Sequence, residues 1–266
     1  MSKLLARSAR KRFGQNFLID MRVIDTILAS IRPTPTDHVV EIGPGHGAIT
    51  EGLLASGCNL TMIELDRDLI PQLMANFVSQ GVDRCRLINE DVLKVDFRTL
   101  SGPLRVVGNL PYNISTPLLF KLLGNGDHFT DIHVMLQKEV VKRICSIPGD
   151  PAYGRLGVMI QALAEVEMLI DVPPESFAPA PKVDSGVIRI IPRANLREKI
   201  NDYAVLERVV KTAFSQRRKT LRNNFKEWIP ANELEAVGIN PNDRPETVPV
   251  KTFVALANQI AKIEAI

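Results

Sequence analysis

Short apolar runs alternate with stretches of helical periodicity through the first three quarters of the chain. His38 to Ile42, Leu60 to Ile63, Arg86 to Ile88, Leu104 to Gly108 and Ile132 to Leu136 have the length and β-branched content of buried strands. Between them lie helical stretches. Asp20 can cap a helix with apolar positions Val23, Ile24, Ile27, Leu28 and Ile31, which Pro33 and Pro35 end. Further helices are predicted from about Ala48, over Asp68 to Val78, Thr116 to Leu123, Val140 to Ile144 and Leu156 to Leu163. Val166 to Val172 and Val187 to Ile191 read as two more strands. Strand–helix alternation of this kind predicts an α/β fold, a mainly parallel sheet with helices on both faces.

After Pro192 the pattern changes. Tyr203 to Phe214, Thr220 to Trp228, Ala231 to Val237 and Val250 to Ile263 read as helices with no strand among them. The polar stretch Pro192 to Lys199 reads as a linker. We therefore expect a large domain over residues 1–195 and a small all-helical domain over 196–266.

Composition narrows the class. Of 266 residues, 45% are hydrophobic and 24% charged, which suits a globular chain. No apolar run is long enough to span a membrane, and none forms a signal-peptide core. Cys58, Cys85 and Cys145 have neither metal-ligand nor disulfide spacing, so a reducing, cytoplasmic setting is expected. His38, His46, His128 and His133 form no ligand pair, so no metal is expected. The basic N-terminal segment lacks acids, as a mitochondrial presequence does. It runs directly into Gly14-Gln15-Asn16 and is read as part of the mature protein.

Net charge is only +3, but it is unevenly spread. Lys3, Arg7, Arg10, Lys11 and Arg12 stand in an N-terminal stretch without acids, and residues 203–226 hold seven bases against Glu207 alone. Two basic patches on a near-neutral chain point to a polyanion. Val210, Phe214, Leu221, Phe225 and Trp228 lie near helical spacing, and Arg217 falls where that stripe wants an apolar residue. A helix break near Ser215 would let Arg217, Arg218, Lys219 and Arg222 project together toward phosphates.

The candidate chemistry lies at strand ends. Glu41-Ile42-Gly43-Pro44-Gly45-His46-Gly47 joins a strand to a helix, and its glycines let a ligand approach the backbone. Glu64 ends the next strand, 21 residues after Gly43, a spacing that sets a carboxylate on ribose hydroxyls. Asp91 follows the third strand and can accept from an adenine amine. These three features serve NAD and S-adenosylmethionine alike. Asn109-Leu110-Pro111-Tyr112 separates them. The Asn109 side chain and the Leu110 carbonyl can each accept from an amine, and Tyr112 can stack on a base. His46 is read as a loop residue without chemistry.

On these residues the chain resembles the ribosomal RNA adenine dimethyltransferases, which use S-adenosylmethionine. The resemblance also rests on Gly14-Gln15-Asn16-Phe17-Leu18, Phe177-Ala178-Pro179-Ala180-Pro181-Lys182-Val183-Asp184-Ser185, and Ser215-Gln216-Arg217-Arg218-Lys219-Thr220-Leu221-Arg222-Asn223, and it covers nearly the whole chain. It implies a Rossmann-like class I S-adenosylmethionine-dependent methyltransferase sheet followed by a helical RNA-binding domain. Asn16 and Leu18 would close over the cofactor, with Gly43, Gly45, Glu64, Asp91 and Asn109 beside it. Phe177 would add a second aromatic wall around the target base. The implied substrate is two adjacent adenosines near the 3′ end of small-subunit rRNA, and the implied partner is the small ribosomal subunit, met by a monomer.

Other readings stay open on sequence. A large-subunit methyltransferase of the antibiotic-resistance type shares the tetrapeptide and the Gln-Asn-Phe-Leu segment. A ribosome-assembly factor that docks without catalysis would need only the basic run. A dehydrogenase would explain the glycine loop but neither the tetrapeptide nor the basic patches.

Overall fold

Strand residues of both parities are apolar, and the fold buries both faces of the sheet they form. In His38–Ile42 every residue from Val39 to Ile42 is buried. A strand covered on both sides reads as a continuous apolar run, which is why these segments show no alternation. The computed structural model describes residues 15–79, 83–216 and 218–265.

In chain order the strands are β1 (Phe17–Leu18), β2 (His38–Ile42), β3 (Asn59–Glu64), β4 (Cys85–Asn89), β5 (Leu104–Asn109), β6 (Phe129–Gln137), β7 (Ala164–Val172), β8 (Phe177–Ala178) and β9 (Ser185–Pro192). Seven of them form one sheet in the order β4-β3-β2-β5-β6-β9-β7. The pairs β4–β3, β3–β2, β2–β5 and β5–β6 are parallel, and β6–β9 is antiparallel. The order reverses at β2, so the C-terminal ends of β2 and β5 flank a crevice. The mainly parallel sheet predicted from the alternation is present, with an antiparallel edge.

A separate two-stranded ladder pairs Phe17 with Ala178 and Leu18 with Phe177. The helix Met21–Ile31 follows β1 directly. Asp20 caps it, accepting from the Arg22 N–H at 2.9 Å. Its buried Val23, Ile24, Ile27 and Ile31 join Val39, Leu60, Met62 and Val107 of the sheet in one core. The single helix expected over Asp68 to Val78 is shorter. An α-helical turn, Ile70–Leu73, passes into a π-helical one, Met74–Val78. That turn brings Phe77 to the glycine loop, where a Cβ on Gly47 would lie 2.4 Å from the ring.

The single boundary expected near residue 195 needs correction. The chain forms two compact units, one of residues 1–141 and 167–192, the other of residues 142–166 and 193–266. The crossing at residue 193 lies close to the expected boundary, but the helix Arg155–Gln161 and its flanks belong to the second unit. Apolar periodicity marks that helix as buried without saying which core it joins.

Within the second unit, Leu206, Val209 and Val210 of Tyr203–Ala213 and Phe253, Leu256 and Ile260 of Val250–Glu264 are buried. Asp202 caps the first of these helices, accepting from Ala204 and Val205. The Tyr153 hydroxyl donates to the Val248 carbonyl at 2.8 Å. Arg208 lies over the Trp228 ring, 4.2 Å from its centroid, and pairs with Glu264. The helix ends at Ala213 and the next, Leu221–Phe225, begins after a turn, so the break expected near Ser215 is there.

Candidate functional site

The glycine loop leaves β2 and turns back under its neighbours. The Gly43 N–H donates to the Ile63 carbonyl at 2.9 Å, tying the loop to β3. Gly43, Gly45 and Gly47 all have positive φ, at 67, 60 and 89°. A side chain at Gly45 would be strained by its φ and would also meet Phe17 at 3.0 Å. The loop thus lies directly beneath the N-terminal strand.

A cavity of about 430 Å³ opens above this loop. Its walls include Asn16, Leu18, Gly43, Gly45, Glu64, Asp91, Asn109, Leu110 and Tyr112. Every residue expected at the cofactor, together with the tetrapeptide, therefore meets in one place. All come from the C-terminal ends of β2, β3, β4 and β5 or from the segment at β1.

Backbone donors hold the Glu64 carboxylate. The Asp66 N–H donates to it at 2.8 Å and the Gly45 N–H at 3.4 Å. Burial still raises its pKa, opposed by these bonds. Asp91 accepts from the Leu93 N–H at 2.9 Å, which fixes its side chain in a local turn. Glu41, fully buried at the cavity base, accepts from the Thr50 hydroxyl at 2.6 Å. Burial pushes its pKa up to about 7. Sequence reasoning gave Glu41 no role beyond opening the loop.

The Asn109 side-chain nitrogen donates to the Asn16 carbonyl at 2.9 Å. That commits the amide's donor end to the N-terminal segment and leaves Oδ1 as its acceptor. The Leu110 N–H donates to Met135 O at 3.2 Å, tying the start of the tetrapeptide to β6. The Tyr112 hydroxyl shares a hydrogen bond of 3.0 Å with the Ser185 hydroxyl, and the Tyr112 carbonyl accepts from Ser115 at 3.0 Å.

The N-terminal segment is held at further points. Gln15 donates to Asp66 at 2.9 Å, and the Phe17 ring lies 4.3 Å, centroid to centroid, from His46. His46, expected to be a bystander, is part of this clasp and of the cavity wall. A histidine contact across the loop has no periodicity to reveal it.

Phe177 lies elsewhere. It pairs with Leu18, is 4% exposed, and packs in the hydrophobic core with Phe17 and Leu18. The walls of this cavity do not include it.

In the second unit Arg218, Lys219 and Arg222 are exposed around the turn after Tyr203–Ala213. Arg217 lies outside the described residues, as do Lys3, Arg7, Arg10, Lys11, Arg12 and Gly14. Among the described residues no helix is long and apolar enough to cross a membrane, and no group of three or more His, Cys, Asp or Glu side chains is arranged to hold a metal ion.

The sheet order, the glycine cradle and a buried acid at the end of β3 fit S-adenosylmethionine. The fold is that of class I S-adenosylmethionine-dependent methyltransferases. Residues 6–262 match the family model described as ribosomal RNA adenine dimethylase, and the chain belongs to that family. A Pseudomonas fluorescens protein named Ribosomal RNA small subunit methyltransferase A is 52% identical over 264 residues, covering 98% of this chain and 97% of its own. A Neisseria meningitidis serogroup B protein of the same name is 51% identical over 253 residues, covering 95% and 96%. Among solved structures, a dimethyladenosine transferase from Plasmodium falciparum superposes with TM-score 0.83 at 25% identity, covering 92% of this chain and 98% of that one. The 23S rRNA methyltransferase ErmE superposes with TM-score 0.70 at 24% identity, covering 92% and 100%, a likeness of fold.

Proposed function

We propose that this protein transfers methyl groups from S-adenosylmethionine to N6 of two adjacent adenosines near the 3′ end of small-subunit rRNA, giving dimethyladenosines during subunit biogenesis. The observation that carries this reading is the Asn109 amide. Its nitrogen donates to Asn16, which leaves its oxygen to accept, and both Asn109 and Leu110 line the cavity.

When bound, the cofactor supplies an electrophilic methyl on a sulfonium. Glu64 would accept from its ribose and Asp91 from its adenine amine, with Gly43 and Gly45 allowing close approach. Asn16 and Leu18 would cover it and exclude water. The exocyclic nitrogen of adenine is a poor nucleophile because its lone pair is delocalised into the ring. Asn109 Oδ1 and Leu110 O accept from that amine, favour a tetrahedral nitrogen and so localise the lone pair toward the methyl. No general base of shifted pKa is needed, because the nitrogen that gains a methyl becomes strongly acidic and releases its extra proton to solvent. The adenine must leave its stack to arrive. Tyr112 stacked on one face would offset about 1–3 kcal/mol of that cost.

Arg217, Arg218, Lys219 and Arg222 are proposed to hold rRNA phosphates. The protein would act as a cytoplasmic monomer on the small subunit. The names of the two bacterial relatives support the small-subunit reading over the large-subunit one. Intact acceptors around a complete cofactor cavity favour catalysis over docking alone.

The test is methylation with labelled cofactor on immature small subunits, naked rRNA and duplex DNA in parallel. Label confined to two adjacent adenosines of the subunits is expected. Equal labelling of duplex DNA, or none of any substrate, would overturn the reading.

A further inference from the structure

Ser185 begins β9 and is 1% exposed. Its register partner is Gln137, at the end of β6, while Asn109 at the end of β5 pairs with Met135 of that same strand. The Tyr112 hydroxyl therefore reaches past the end of β6 to share its 3.0 Å hydrogen bond with Ser185. A hydroxyl buried this deeply is costly unless bonded, and a serine needed only for packing would serve as well as alanine.

Tyr112 is fixed at three places. Its carbonyl accepts from Ser115, the Ile114 N–H donates to the Pro111 carbonyl at 3.1 Å, and its hydroxyl meets Ser185. The first two fix the backbone. Only the third acts at the far end of the side chain, where swinging about the Cα–Cβ bond moves atoms most. The ring is half-buried and lines the cavity.

We propose that Ser185 is a positioning residue for methyl transfer, its hydroxyl holding the Tyr112 ring as a preset platform for the extruded adenine. The proposal rests on Tyr112 being that platform. A ring held in place before the base arrives loses no rotational freedom on stacking, so the base meets its aligned position in one step.

The experiment compares wild type, Ser185→Ala, Tyr112→Phe and the double variant in single-turnover methylation of small subunits at saturating cofactor. Each single variant should slow the step roughly three- to ten-fold, the range of one lost hydrogen bond. The double variant should be no slower than the slower single, because both remove the same bond. Cofactor affinity should match wild type throughout. Fluorine NMR on protein carrying 3-fluorotyrosine supplies a readout that general loosening would not produce. The Tyr112 signal, assigned by its loss in Tyr112→Phe, should shift in Ser185→Ala, because the fluorine sits ortho to the hydroxyl that loses its partner, and broaden as the ring swings about its Cα–Cβ bond. Tyr112→Phe breaks the bond without altering β9, so the kinetic comparison survives a poorly folding Ser185 variant. Wild-type rates in Ser185→Ala, multiplicative losses in the double variant, or an unchanged fluorine signal would overturn the proposal. Failure of wild type to methylate small subunits would instead strike the base-amine reading, and the fluorine signal would still decide whether Ser185 holds the ring.

Discussion

Asn109 and Asn16 stand 93 positions apart, yet the side-chain nitrogen of one donates to the backbone carbonyl of the other at 2.9 Å. The residue proposed to orient the target amine also anchors the segment over the cofactor. Asn109→Ala should therefore do two things. Methyl transfer should fall below detection, since an acceptor present at the reacting nitrogen is lost. Cofactor affinity should fall by about 1 kcal/mol, the net value of one hydrogen bond to the covering segment. Single-turnover labelling and calorimetric titration measure the two separately. An unchanged affinity would mean that the Asn16 contact does not secure the segment.

Glu64 should carry much of the cofactor's affinity. Glu64→Ala removes a charged acceptor for ribose, and hydrogen bonds to charged groups contribute about 1.5–3 kcal/mol. The dissociation constant for S-adenosylmethionine should rise roughly ten- to a hundred-fold. Glu64→Gln should fall between, because it keeps an acceptor for the Asp66 N–H while losing the charge. Equal affinity in wild type and Glu64→Ala would remove Glu64 from the ribose site.

Glu41 and His133 should give stability an opposed pH dependence. Burial pushes the Glu41 carboxyl up to about 7, against the bond from Thr50, with Glu64 adding to the rise. Burial pushes His133 down to about 4, against the pull of Asp131. Folded Glu41 keeps a proton that the unfolded chain releases, so its contribution falls as pH rises from about 4.5 to 7. Folded His133 refuses a proton that the unfolded chain takes up, so its contribution falls as pH drops from about 6.5 to 4. Urea unfolding of Glu41→Gln should show a gain over wild type of about 3 kcal/mol at pH 8 and little at pH 4.5. Parallel profiles for the two proteins would show that Glu41 titrates normally.

The basic run should act on RNA alone. Arg217→Ala, Arg218→Ala and Lys219→Ala combined should weaken small-subunit binding and flatten its salt dependence by about 0.7–0.9 in log–log slope per lost phosphate contact. Cofactor affinity should be unchanged. Filter binding over a salt series checks it, and an unaltered slope would assign the run to solvent.

The sheet was legible because its strands are buried on both faces and so read as unbroken apolar runs. The meeting of Gly43, Glu64 and Asp91 in one cavity was legible because Glu64 ends β3 and Gly43 and Asp91 closely follow β2 and β4, where sequence order and spatial order coincide. Less local features were not. β1 and β8 are two residues each, too short for any period, and they pair across most of the chain. The Tyr112–Ser185 bond joins residues 73 apart by a single pair of hydroxyls. Phe177 was marked by its motif alone, and its pairing with Leu18 and its place among the buried core residues left no sign in the pattern.

The brevity of β1 bears on turnover. On the proposed reaction, two methyl groups on each of two adenosines would require four cofactor molecules in succession, and spent product would leave the cavity repeatedly. The ladder over it has only two residue pairs, Phe17 with Ala178 and Leu18 with Phe177. Each backbone hydrogen bond contributes about 0.5–1.5 kcal/mol net, so the ladder can part at a small fraction of the cost of global unfolding. The seven-stranded sheet that carries Glu64 and Asn109 need not loosen when it does. On the proposed reaction, exchange of donor for product would need only this ladder to part, while the surfaces proposed to align the next amine stay built.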